Sequence, residues 1–175
     1  VWGRGVSSPP AEGPVKKEGD LRSPAGIFEL GGVYGTVPVP KKKRSMPYRR
    51  ITPRDMWVDD PSSPLYNQHF VLKHDPVTPW EFKQQMKLND YAHSLKLFIR
   101  HNAAGDQGHP VAGGGSSIFF HIWRRDGQAP TAGCTAMSEE NLRAMIAWLD
   151  PSKHPLYVLL PSREYLRLRK AWGLP

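Results

Sequence analysis

Eighteen prolines and sixteen glycines are spread through a chain of 175 residues, and no helix can run far between them. Proline removes a backbone donor and clashes with the preceding turn, while glycine gives up the most entropy on ordering. With 39% hydrophobic residues the chain still has enough apolar surface to fold. Together these point to a loop-rich, strand-based domain, neither disordered nor helical. At this length it reads as one domain, 1–175, able to bury roughly 70% of its unfolded surface. The first sixteen residues read as an irregular N-terminal arm, their Gly-, Pro- and Ser-rich composition continuing to residue 20. Asp20 to Phe28 has the shape of a turn feeding a strand.

Four short runs read as strands: Gln68–Lys73, Leu95–His101, Ser117–Trp123 and Leu156–Leu160. In the second, Leu95, Leu97 and Ile99 share one face, with Lys96 and Arg100 on the other. Three helices have start signals. Thr78-Pro79-Trp80-Glu81 is a capping box with proline at the first helical position, opening a helix towards Asp90. Ser138 caps a helix with Glu139 and Glu140 in its first turn, an apolar stripe of Leu142, Met145, Ile146 and Leu149, and a stop at Asp150-Pro151. A last helix is predicted from Ser162 to Trp172, closing at Gly173. The sum is a mainly β fold with a few helices and no βαβ alternation.

Charge narrows the partners. A formal net charge of +8 and a pI near 9.7 favour nucleic acid, anionic lipid or a carboxylate-rich polymer such as bacterial cell wall. Much of the excess lies in Lys41-Lys42-Lys43-Arg44 and Arg49-Arg50, which also fit a solvated loop. No nucleic-acid motif accompanies it. No run reaches the roughly 20 apolar residues needed to cross a bilayer. The chain begins at Val1 rather than Met, as expected of a processed or trimmed form, so the absence of an export signal decides nothing. His69, His74, His93 and His109 lack ligand spacing, so no metal or other cofactor is expected.

The one cysteine, Cys134, excludes an internal disulfide and leaves a free thiol. It follows Pro130-Thr131-Ala132-Gly133, where glycine permits a tight turn that aims consecutive N–H groups at one point. In Ser117–Trp123, alternation puts Ile118, Phe120 and Ile122 on one face and Phe119, His121 and Trp123 on the other. The first face suits a core. The second, an imidazole between two aromatics, suits the floor of a cleft that Trp123 would share. Taken singly, His121 fits an ordinary hydrogen-bonded histidine and Cys134 a small buried hydrophobe. Taken together they fit a cysteine acyltransferase or hydrolase, with His121 activating the thiol.

Gly115-Ser116-Ser117-Ile118-Phe119-Phe120-His121 followed by Pro130-Thr131-Ala132-Gly133-Cys134 resembles the active-site region of the YkuD-type L,D-transpeptidases. Lys17-Glu18-Gly19-Asp20-Leu21-Arg22-Ser23-Pro24-Ala25-Gly26-Ile27-Phe28 is similar to that family's lysine–glycine–aspartate and proline–glycine–phenylalanine segment. Asp59-Asp60-Pro61, Tyr66-Asn67 and His101-Asn102 resemble the branch that holds little beyond the catalytic domain. The matches run in order from Lys17 to Met137.

The resemblance implies a YkuD-like β-sandwich or mixed sheet and a role in peptidoglycan remodelling. It makes Cys134 the nucleophile, His121 its base, and the N–H groups of Gly133 and Cys134 the oxyanion donors. A backbone carbonyl is the expected group to orient the imidazole. Donor and acceptor would be peptidoglycan stem peptides, joined third residue to third or first to third. It also implies carbapenem-type β-lactams as acylating inhibitors and an exported protein, periplasmic or wall-associated. Tyr66, Asn67, His101, Asn102 and Trp123 are expected to line the cleft. Two positions depart from the family pattern, Ala132 in place of a histidine and Ala136 in place of a polar residue, and the His121–Cys134 gap is also short. Two other readings fit the same residues, an L,D-carboxypeptidase that trims stems and a non-catalytic wall-binding module.

Overall fold

A computed structural model describes residues 1–6, 13–39, 45–104 and 108–175. The Lys41–Arg44 cluster lies outside the described residues. The chain is built round one mixed sheet. Its long strand β1 (Gly26–Gly35) pairs in parallel with β2 (Tyr48–Arg50) and antiparallel with β5 (Leu95–Ile99). Strand β5 pairs antiparallel with β6 (Phe119–Ile122), and β6 in parallel with β7 (Thr135–Met137). The first half of β1 instead pairs antiparallel with β8 (Leu156–Leu159). β1 passes from β8 to β5 between Glu29 and Leu30, and its pairing with β5 is irregular between Leu30 and Val33, where a Cβ on Gly31 would sit 2.6 Å from the Phe98 ring. A separate hairpin of β3 (Asp55–Trp57) and β4 (His69–Val71) completes the strands.

Both faces of the sheet are covered, which is why β5 and β6 are buried at every position. On one face Leu95, Leu97, Ile99, Ile118, Phe120 and Ile122 pack with Leu142 and Ile146 of helix α2 (Glu139–Trp148) and with its C-cap Leu149. On the other, Phe98 and Phe119 pack with Ile51, Trp57 of the hairpin and Met86. The alternation expected in both strands therefore holds, but the face carrying His121 is a second apolar layer and not an open floor. Lys96, on that same face, is buried within it.

The capping signals are realised. Thr78 and Glu81 form both halves of the capping box for α1 (Pro79–Gln84), and Ser138 Oγ accepts from the Asn141 N–H at the start of α2. α1 stops well short of Asp90 because the chain turns extended at Gln85 to pair with Met56, and Met86 donates to the Asp55 carbonyl at 2.9 Å. Burying Met86 in the second layer overrides further helix. α3 (Ser162–Leu168) is also shorter than expected, its last turns continuing only as isolated hydrogen bonds such as Trp172 N–H to the Leu168 carbonyl. Sequence reading missed β2, β3, β7 and the last two-thirds of β1. The first three are three-residue strands, too short for alternation to show.

Residues 1–6 are tied to the body of the fold. Trp2 is buried and bridges both Val15 and Ala25, while the Gly3 and Val6 N–H groups donate to the carbonyls of Ala25 and Ile27. No described helix is long and apolar enough to cross a membrane.

Candidate active site

The parallel pairing of β6 and β7 positions the two candidate residues. Its register sets Phe120 beside Thr135 and His121 beside Ala136. One step earlier, Cys134 lies beside Phe119, whose N–H donates to Sγ at 3.4 Å. Cys134 and Ala136 therefore share the face of Phe119 and His121. The thiol lies diagonally across one strand gap from the imidazole, with Cα atoms roughly 8 Å apart from standard strand spacings. Sγ donates in turn to the Ser117 carbonyl at 3.4 Å.

The loop before the thiol is fixed by its own side chains. Thr131 Oγ1 donates to the Cys134 carbonyl at 2.7 Å and accepts the Gly133 N–H at 3.2 Å. Ser23 Oγ donates to the same carbonyl at 3.4 Å. Gly133 has φ of +135°, and a Cβ there would lie 2.9 Å from the Arg22 carbonyl, so the position requires glycine. The aspartate of the upstream segment places that carbonyl: Asp20 accepts the N–H groups of Lys17 and Arg22, each at 3.0 Å, and pairs with Lys16.

His121 is buried, and its Nδ1 lies 2.7 Å from the carbonyl of Ile122. Donation by Nδ1–H to that carbonyl leaves Nε2 with a free lone pair, the tautomer a base needs. The expected orienting carbonyl is thus that of the next residue. His93 stacks on the imidazole with ring centroids 4.7 Å apart. It is carried by the short turn Tyr91–His93, which Asp90 caps while also accepting from Arg124 Nε at 2.9 Å.

Burial governs the local charges. It lowers the pKa of His121, and the cations Arg124 and Lys96 act the same way against the Ile122 carbonyl. It takes His93 down to about 3. It pushes the Cys134 thiol up, opposed by the Phe119 N–H and the charges of Lys96 and Lys16. At neutral pH the imidazoles are therefore neutral, and two buried lysines supply positive potential to the sulfur.

The other expected cleft residues lie elsewhere. Asn67 is fully buried: Oδ1 accepts from Trp57 Nε1 and the Ser117 N–H, and Nδ2 donates to the carbonyls of His101 and Asn102. His101 Nδ1 accepts the Arg4 N–H and its Nε2 donates to the Gly114 carbonyl, both at 3.0 Å. Asn102 bonds the backbone of Val111 on both sides and the Gly115 carbonyl. The Tyr66 hydroxyl donates to Glu18, which also accepts from Ser116. Their polar groups are taken up by the protein, so in this arrangement they brace the site from behind. Trp123 is 37% exposed, beside Gly127 at the strand's end.

Lys96, His93 and Lys16 escaped sequence reading. For Lys96 a signal existed: it shares its strand face with Phe98, so it points inward wherever that face is covered.

The YkuD family model, described as an L,D-transpeptidase catalytic domain, matches residues 1–158. No curated protein and no solved structure matches the chain.

Proposed function

The chain belongs to the YkuD family of L,D-transpeptidase catalytic domains, and from that premise we propose that it cross-links peptidoglycan stem peptides through an acyl-enzyme on Cys134. One observation carries the reading: Cys134 and His121 project from adjacent strands on one sheet face, with His121 Nδ1–H committed to the Ile122 carbonyl and Nε2 left to move a proton.

In this reading Sγ attacks the carbonyl carbon of the donor stem's scissile bond as His121 Nε2 takes the thiol proton. The carbon–nitrogen bond breaks, the leaving amine takes that proton, and a thioester remains. The side-chain amine of a second stem then attacks the thioester and gives its proton to His121; the carbon–sulfur bond breaks as the new amide forms, and His121 returns the proton to the sulfur. The Gly133 and Cys134 N–H groups are the oxyanion donors, for which Gly133 N–H must exchange its Thr131 partner for the developing charge. With alanine at 132 and 136, no polar side chain flanks the thiol there. Choice between third-to-third and first-to-third linkage falls to other groups. The positive net charge suits a carboxylate-rich wall, and the proposed place of action is the periplasm or the wall itself.

The test is incubation with purified wall fragments and mass spectrometry of the products. Cross-linked dimers are expected. A lone tripeptide would assign stem trimming instead, and no product with unchanged wall binding in Cys134→Ala would assign a binding module. Cys134→Ser and His121→Ala should each abolish product with the fold intact, and full activity in either overturns the assignment. A carbapenem should add one adduct to Cys134 in the intact-mass spectrum.

A further inference from the structure

Strand β5 sets a lysine directly opposite the proposed base, since its register with β6 pairs Lys96 with His121 and Phe98 with Phe119. Lys96 is only 3% exposed. Its Nζ donates to the Met86 carbonyl at 2.9 Å and stands 5.5 Å from the centre of the Phe119 ring. The backbone N–H of that same Phe119 donates to Cys134 Sγ. An ammonium and a thiol thus share one apolar layer, joined through a single residue.

A buried ammonium is unfavourable unless something offsets its charge. The charged and titratable groups around this layer are Tyr34 on β1, the register partner of Lys96, with Arg49, Asp55 and His69 beside it, His121 on β6, His93 on the Tyr91–His93 turn, Lys16 and Asp20 from the N-terminal segment, and Arg124 and Asp90 at the sheet's end. Among the described residues Lys16 is paired with Asp20 and Arg124 with Asp90, while no carboxylate pairs with Lys96. His93 and His121 are held neutral by burial. Asp55 is taken up by Arg49 and His69, and burial raises the pKa of the Tyr34 phenol and keeps it protonated, so the neighbour left to answer the charge of Lys96 is the Cys134 sulfur.

We propose that Lys96 is a positioning residue that acts through the sulfur: its ammonium is the counter-charge of the Cys134 thiolate, so the nucleophile is charged by a lysine and its proton is moved by the histidine. Two residues then divide what a simple dyad asks of one. At neutral pH the ammonium keeps its charge through the cycle. The imidazole stays unprotonated at rest and open to the thiol or the acceptor amine. Burial lowers Lys96 to about 8 and the sulfur's charge opposes that shift, while Lys96 opposes the upward push on the thiol. The proposal rests on Cys134 being the nucleophile of the site.

Cys134 is partly exposed and is the single cysteine, so alkylation by iodoacetamide reports on it alone. The rate should be followed from about pH 5 to 10 in wild type, Lys96→Met and Lys96→Arg, alongside thermal melting. Methionine fills the lysine's space without its charge, an exchange that buried sites often tolerate. Lys96→Met should raise the midpoint of thiolate formation by about one pH unit, slowing alkylation about tenfold at neutral pH. Lys96→Arg should stay near wild type. An unchanged midpoint in folded Lys96→Met overturns the proposal.

The reciprocal measurement decides if that variant does not fold. The Lys96 side-chain titration, followed by NMR, should move to lower pH in Cys134→Ser, and no movement overturns the proposal. Neither assay uses a stem peptide. A Lys96-dependent profile without cross-linking would keep this inference and sink the transpeptidase, and the opposite pattern would do the reverse.

Discussion

Replacing Asn67 separates a bracing residue from a substrate-binding one. Its side chain is 2% exposed and makes four hydrogen bonds of 2.8 to 3.0 Å. They tie β3, the turn after β5 and the entry to β6 to one amide. Asn67→Ala would leave the Trp57 and Ser117 donors and the His101 and Asn102 carbonyls buried without partners. At about 1 kcal/mol each, the loss is about 4 kcal/mol. Asn67 also sits at φ of +54°, a left-handed conformation that asparagine tolerates and alanine adopts at about 1 kcal/mol more. The expected loss of about 5 kcal/mol is a large share of the 5–15 kcal/mol typical of domains. Urea unfolding followed by tryptophan fluorescence measures it. Asn67→Gly relieves the backbone but not the bonds, so it should recover about 1 kcal/mol. A loss under about 1 kcal/mol in Asn67→Ala, with turnover abolished and the fold intact, would put Asn67 on the substrate's wall instead.

Two further outcomes are expected. Gly133→Ala forces a side chain against the Arg22 carbonyl at a backbone angle alanine rarely adopts, and should lower stability by roughly 2 kcal/mol and acyl-enzyme formation with it. Wild-type activity and melting temperature in that variant would show that the loop has other ways to settle. Burial takes His101 down to about 4, well below the ordinary 6.5. The unfolded chain therefore gains a proton that the folded one refuses. Stability, fully present above pH 6.5, should fall by roughly 3 kcal/mol as pH drops through 4. His101→Gln keeps one acceptor and one donor without titrating, so denaturant midpoints should fall less steeply in acid; equal slopes would refute the assignment.

What the sequence disclosed depended on how local each signal was. The capping box at Thr78 and the Ser138 cap act within four residues, and both formed where expected. The Ile118, Phe120, Ile122 face was equally legible, because period two marks burial wherever the partner comes from. α1's early end was not, since the competing contact, Met86 against Asp55, joins segments some thirty residues apart. The same limit hid Lys96. Its neighbours in sequence leave open what covers the opposite face, and only the β3–β4 hairpin, with Trp57 over Phe98 and Phe119, turns that face into an interior.

The resemblance makes the polar pairs Tyr66-Asn67 and His101-Asn102 cleft residues, and their placement follows from the segment they serve. Residues 111–117 are rich in glycine and form no strand, so their backbone groups lack a ladder and need side-chain partners. Asn102 meets Val111 and Gly115, His101 meets Gly114, and Asn67 meets Ser117. That segment in turn delivers the Ser117 carbonyl that receives the thiol, and two residues later the Phe119 N–H that donates to it. A residue whose loss would displace both partners of the sulfur affects catalysis as surely as one that touches substrate. Activity loss alone cannot tell the two apart. Stability can, because a bracing residue lowers unfolding free energy and turnover together, whereas a peptide-binding residue lowers turnover alone. On that criterion Asn67, His101 and Asn102, whose polar groups are bonded within the protein, are expected to behave as the frame of the site, and the groups that meet the substrate are to be sought around Cys134, His121 and the part-exposed Trp123.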